Sequence, residues 1–168
     1  MAKLFAITAI ALYLFSTFRQ IQAFSKSKGD YRQQVLGLGM VATALHGISW
    51  FAPMLATGNI ALSFFSVGSL IALVISALIV LSAIKKPLEN LLLGIFPMAA
   101  VLLMVNLFVP VGQSNGQQWD PGLTTHIILS IMAYSILTIA AFQAILLMIQ
   151  NHQLKTKHMS CIMRVLPP

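Results

Sequence analysis

Two histidines interrupt long apolar runs in this chain, His46 and His126. A neutral imidazole carries one donor and one acceptor nitrogen, can take up a proton near neutral pH, and ligates transition metals. His46 lies eleven residues after Val35, which at ~1.5 Å per residue places it roughly 16 Å into its run, near the middle. Gly47, Ser49 and Trp50 follow it closely enough to form a local pocket. Two readings stay open for it: an interhelical hydrogen bond used for packing, or an axial haem ligand or proton site. His126 follows Asp120-Pro121-Gly122-Leu123-Thr124-Thr125 and sits about one turn inside its run. Ser130, Ala133 and Tyr134 continue its face at helical spacing. That face suits close packing or a planar ligand, and a water-wetted histidine at an interface fits equally well.

The remaining polar residues inside apolar runs have plainer explanations. Asn59, Ser63, Ser66 and Ser69 recur at three- and four-residue steps beside Gly68. They form one polar strip suited to helix packing. Asn106 and Gln143 are expected to be interhelical hydrogen bonders. No Asp or Glu lies deep in any run, which argues against a carboxylate-driven pump. The chain has no Ser/His/Asp set, HExxH or phosphate loop. Catalysis is therefore not expected. The single cysteine, Cys161, can staple nothing, and His152 and His158 flank Lys155 and Lys157 in a basic tail expected to be solvated.

These residues must be positioned by membrane helices. The chain has 168 residues, 58% of them hydrophobic and 8% charged, with a mean hydropathy of +0.89. Ordinary soluble domains are roughly 25% charged. Five apolar stretches predict spans at about 4–24, 35–55, 60–84, 88–109 and 123–149. Backbone groups in lipid must be satisfied within their own segment, so the spans must be helical. The fold class is all-α: a polytopic membrane helix bundle of five transmembrane helices in a single domain, residues 1–168, with the lipid bilayer as its first partner. Pro53 and Pro110 are expected to close the second and fourth spans, and Pro97 is positioned to break the fourth. With a broken fourth helix a small-molecule permease is conceivable, but no charged site accompanies it.

The net charge is +7, from ten Lys and Arg against three acids. No basic stripe on a folded domain exists to bind nucleic acid. The basic residues instead alternate between loops. Lys26, Lys28 and Arg32 follow the first stretch, Lys85 and Lys86 the third, and Lys155, Lys157 and Arg164 the fifth. The segments after the second and fourth stretches have no Lys or Arg. Basic loops stay cytoplasmic, so the amino terminus is expected outside, with Trp119, Asp120 and His126 at the outer face; Lys3 is a minority vote. The heavier positive flank follows the first stretch, which opposes a cleaved signal peptide.

The segment from Pro121 through His126 to Tyr134 and Ser135 resembles the PG-x-x-x-H-x-x-L-S-x-x-A-Y stretch of the cytochrome c assembly protein family. His46-Gly47-Ile48, Val67-Gly68-Ser69-Leu70, Asn151 to Lys155 and the closing Leu166-Pro167-Pro168 are also similar. The resemblance implies a bacterial inner-membrane protein that binds or handles haem, with haem as cofactor and cytochrome c assembly proteins as partners. It matches His126 to the family's first outer-face histidine and His46 to its first intramembrane one, both candidate ligands of haem iron. It also implies that the chain is the amino-terminal part of a longer family domain, because relatives carry further helices with the partner histidines. The tryptophan-rich outer segment of the haem-attachment relatives is absent. A structural or regulatory membrane subunit without a cofactor is the alternative.

Overall fold

A computed structural model describes residues 1–26, 31–58, 63–85, 88–109 and 120–156. Asn59, Trp119, His158, Cys161 and the closing Leu166–Pro168 lie outside them. All regular structure among the described residues is helical: α1 Ala2–Lys26, α2 Tyr31–Thr57, α3 Phe64–Lys85, α4 Glu89–Phe108 and α5 Pro121–Thr156. All five are long and apolar enough to cross a bilayer.

The helix ends follow local chemistry rather than hydropathy. α2 runs through Pro53 and stops at Gly58, whose φ of 67° reverses the chain while its N–H returns to the Met54 carbonyl at 2.9 Å. Ser63 caps α3: its Oγ accepts the Ser66 N–H at 3.1 Å. Asp120 caps α5, its Oδ2 accepting the N–H groups of Gly122 at 3.0 Å and Leu123 at 3.2 Å. α5 then continues to Thr156, beyond the expected end of the span. Pro97 does not break α4, which is continuous from Glu89 to Phe108. One missing amide donor is tolerated inside a packed membrane helix.

Successive helices run antiparallel. One end of the bundle gathers the start of α1, the end of α2, the start of α3 and the end of α4; there the Trp50 indole N–H donates to the Ser66 carbonyl at 3.4 Å. At the other end Ser16 Oγ donates to the Val35 carbonyl at 3.3 Å and the Arg32 guanidinium donates to the Ala83 carbonyl at 2.8 Å. The core joins α1 to α4 through Tyr13, Val35, Ile75, Ile79, Leu92 and Phe96. Ala9, Ala42, Ala72, Ala83 and Ala99 are fully buried, because lipid-embedded helices gain by bringing backbones close. Gly39 marks the tightest crossing: a Cβ there would stand 2.5 Å from the Phe96 ring. α5 is more loosely attached. It lies along α3 and barely touches α4. Its covered stripe is Ile131 and Ser135, with Ile139, Phe142 and Leu146 partly buried.

Candidate functional site

His46 lies two residues from the midpoint of α2 and is completely buried. Desolvation explains the placement: lipid offers its nitrogens nothing, so the ring turns to neighbouring helices. Its Nε2 is 3.0 Å from Ser69 Oγ on α3. Its Nδ1 is 3.4 Å from the Tyr13 hydroxyl on α1. The two rings meet edge to face with centroids 5.9 Å apart. Tyr13 Oη is in turn 3.3 Å from Thr43 Oγ1, one turn before His46 on α2.

Thr43, Tyr13, His46 and Ser69 thus form one hydrogen-bonded chain across α1, α2 and α3. A phenol donates only one proton. If Tyr13 donates to Thr43, Nδ1–H donates to Tyr13 and Nε2 accepts from Ser69. If Thr43 donates to Tyr13, Tyr13 donates to Nδ1 and Nε2–H donates to Ser69. Either polarity occupies both imidazole nitrogens. Ser76 is also fully buried, and its Oγ adjoins the Tyr13 phenol without reaching hydrogen-bond geometry.

His126 has the opposite surroundings. It is exposed on the first turns of α5. The buried stripe through Ile131 and Ser135 lies on another side of the helix, and Tyr134, on the His126 face, is 59% exposed. Of the readings open for this face, close packing against a described helix is the one not realised. Gln143, expected from sequence to bond between helices, is exposed on α5 as well and faces none of the described helices. Thr124 and Thr125 turn their hydroxyls back onto the carbonyls of Asp120 at 3.1 Å and Pro121 at 2.8 Å, leaving the imidazole as the accessible ligating group of this turn.

The two histidines do not share a site: one is enclosed by α1, α2 and α3, the other lies on a face of α5 that no described helix covers. Among the described residues no three His, Cys, Asp or Glu side chains gather as a metal cluster. His46 does not fit an axial haem ligand in this arrangement. Both nitrogens are engaged, the residue has no exposed surface, and the Leu73 methyls stand 4.0 Å from where a Cβ on Gly47 would be, which leaves no slot for a macrocycle. His126 does fit, as an exposed imidazole beside Ser130 on an open helix face. The polar strip of α3 divides in its roles: Ser63 caps the helix, and Ser66 and Ser69 are buried, Ser69 against His46.

Tyr13 and Thr43 are the partners that sequence reasoning missed. The sequence signal was the spacing alone: Tyr13, Ser16 and Gln20 follow one another at helical steps, and the structure buries all three completely.

Three curated relatives are similar to this chain. Inner membrane protein YpjD of Escherichia coli K12 is 28% identical over 158 residues, which cover 93% of this chain and 60% of the relative. YpjD from the O6:H1 and O157:H7 strains gives the same figures. The chain therefore spans about 60% of the length of the curated relatives it matches. No solved structure gives a significant match. With five apolar helices and inner-membrane relatives, it is a multi-pass protein of that membrane. The family model described as cytochrome C assembly protein matches residues 35–167, from α2 through all of α5, and the chain belongs to the cytochrome c assembly protein family.

Proposed function

We propose that this protein handles haem as a membrane component of cytochrome c assembly, with His126 as the ligating residue and His46 as an internal brace. The exposed imidazole of His126, on an uncovered face of α5 in a chain of this family, carries the reading. When bound, haem supplies the redox-active iron and the vinyl groups that apocytochrome thiols attack. The chain's own residues hold and orient. His126 would hold the haem iron through its imidazole, Asp120 fixes the turn that carries it, and α3 supports α5 from behind. In this role the protein is a holder rather than an enzyme. The alternating loop charges support an orientation with the amino terminus and His126 outside, where haem would meet apocytochrome.

The test is spectroscopic. The purified protein in detergent is titrated with haem and the Soret band followed. Wild type and His46→Ala should shift the band; His126→Ala should not. Absence of a shift in wild type, or an equal shift in wild type and His126→Ala, overturns the reading. A structural or regulatory subunit without cofactor is the second reading, favoured by the large uncovered apolar face of α5, including Leu129, Leu137 and Leu147. A partner that co-purifies equally with wild type and His126→Ala, without any haem response, would establish it.

A further inference from the structure

α5 is the least covered of the five helices: 11% of the residues along its apolar stretch are buried, against 28% to 44% in the other four. Lipid covers a purely apolar face well enough, but this face carries an amide. Gln143 is exposed and has no hydrogen-bond partner among the described residues. Its depth follows from its neighbour. The Phe142 ring stands 2.9 Å from where a Cβ on Gly94 would be. Gly94 lies about 7 Å along α4 from its first residue, Glu89. Glu89 and Lys85, the last residue of α3, mark the level at which these helices leave hydrocarbon. Helical side chains lean toward the amino terminus of their helix, which for α5 is the opposite end of the bundle. The Gln143 amide therefore leans into hydrocarbon and away from the nearer headgroups. An unpaired amide there is costly, and a hydrogen bond to another helix removes the cost.

Gln143 belongs to a seam. Leu129, Ala133, Ile136, Ala140, Gln143 and Leu147 recur at alternating steps of four and three, and all are exposed. That is the period by which two helices pack along each other, here with alanine alternating with larger side chains from Leu129 to Gln143. The seam runs about 27 Å, most of the ~30 Å hydrocarbon layer. Elsewhere in the bundle buried alanines mark the places where helices come close; Ala133 and Ala140 are the same device left open. The seam also suits itself. Copies of one membrane protein insert with one orientation, so two α5 helices meet in parallel about a two-fold axis and each layer meets its own kind. Alanine faces alanine, Leu and Ile face themselves, and an amide, which has both donor and acceptor, satisfies a second amide. We infer that α5 is the interface of a homodimer, with the Gln143 amides of the two copies hydrogen-bonded to each other in the hydrocarbon layer. The seam stops one turn short of His126, so both imidazoles stay at the mouth of the pair, open to a ligand.

Cysteine crosslinking of the full chain in native membranes reads the seam. In a Cys161→Ser background, Leu129→Cys and Ile136→Cys should each give an oxidised band at twice the 18.3 kDa of one copy. Ile145→Cys, 50% exposed but on another side of α5, should not. Energy transfer between labelled copies, followed as lipid dilutes them, measures the strength. Gln143→Leu should weaken the dimer roughly three- to twentyfold, the range of one interhelical hydrogen bond, and Gln143→Asn should keep most of it. Ala140→Leu should abolish it by forcing the helices apart. The SDS midpoint of the single copy should not move in any of these variants, because no described helix touches the face. Absence of the band from both Leu129→Cys and Ile136→Cys overturns the proposal, as does an equal band from Ile145→Cys or a dimer indifferent to Gln143→Leu and Ala140→Leu. A crosslinked band of another mass gives the face to a different protein, and a midpoint lowered by Gln143→Leu gives the amide a partner within the chain; either sinks the homodimer. None of these outcomes depends on haem.

Discussion

His46 and His126 should fail in different ways when replaced, and the difference can be worked from their surroundings. Ser69→Ala removes the partner of His46 Nε2, which sits at 3.0 Å with no water-exposed surface to turn to. Interhelical hydrogen bonds in membranes average ~0.6 kcal/mol and reach ~1.7, since the unfolded segments find other partners in the bilayer. A stranded buried nitrogen belongs near the top of that range, so Ser69→Ala should cost about 1–1.5 kcal/mol. His46→Ala loses the same bond and the weaker 3.4 Å contact to Tyr13. It also leaves a cavity on the order of 60 Å³, which at ~24 cal/mol per Å³ adds about 1.5 kcal/mol. The stranding penalty is smaller here, because Tyr13 keeps Thr43. A total of about 2–3 kcal/mol follows. His126→Ala removes an exposed side chain and should stay within ~0.5 kcal/mol. The assay is an SDS-titration midpoint on reconstituted protein, read beside the haem-induced Soret shift. His46→Ala and Ser69→Ala should lower the midpoint and keep the shift; His126→Ala should keep the midpoint and lose the shift. A His46→Ala protein of unchanged stability that no longer responds to haem would refute the reasoning, because the imidazole would then be a ligand and not a brace.

Two further outcomes are expected. Gly39→Ala forces a Cβ to within 2.5 Å of the Phe96 ring and should destabilise the bundle by about 1–3 kcal/mol, with Phe96→Leu restoring much of the loss, as read by the same SDS midpoint. Single cysteines placed in a Cys161→Ser background should report the orientation: Gln117→Cys labelled by a membrane-impermeant maleimide added to intact cells, Lys85→Cys labelled only after lysis; the reverse pattern overturns the proposed topology.

The spans were legible because hydropathy registers what lipid demands of each segment, and no soluble arrangement tolerates so little charge. Their ends were less so. α2 continues past Pro53 because a proline forfeits one amide donor without ending the ladder, and the helix stops only where Gly58 takes a positive φ. α5 starts at Pro121 because Asp120 caps it, a signal that hydropathy does not count. The inward turn of His46 followed from desolvation cost alone. Its partner Tyr13 did not follow, because a phenol in a membrane segment serves at the interface as well as in the interior. Only the packing of α1 on α2, with Thr43 opposite, decides between them. For His126 the spacing told which residues share its face, Ser130 and Tyr134 among them, and was silent on whether another helix covers that face. Periodicity fixes the angle between residues on one helix; the azimuth of the whole helix belongs to its neighbours.

That azimuth ties the two histidines together despite their separation. α5 has little packing of its own: it rests on α3 through the stripe from Ile131 to Leu146, and it meets α4 where Phe142 closes on Gly94. The register of α3 is set deeper in the bundle, by Ser69 against His46 and by the Trp50 indole on the Ser66 carbonyl. A buried polar bond is a poor source of stability in lipid, yet it selects one register strongly, because an apolar helix slides on apolar neighbours at little cost and a stranded imidazole does not. The brace at His46 and the Trp50 bond therefore both hold α3 in register, and the stripe from Ile131 to Leu146 seats α5 on it in the rotation that leaves His126 on the open face. An imidazole in the core and another on the surface are then parts of one arrangement, in which the buried ring adds to the stability of the register while the Trp50 bond and the apolar stripe of α5 keep the exposed ring on its open face when the buried one is replaced.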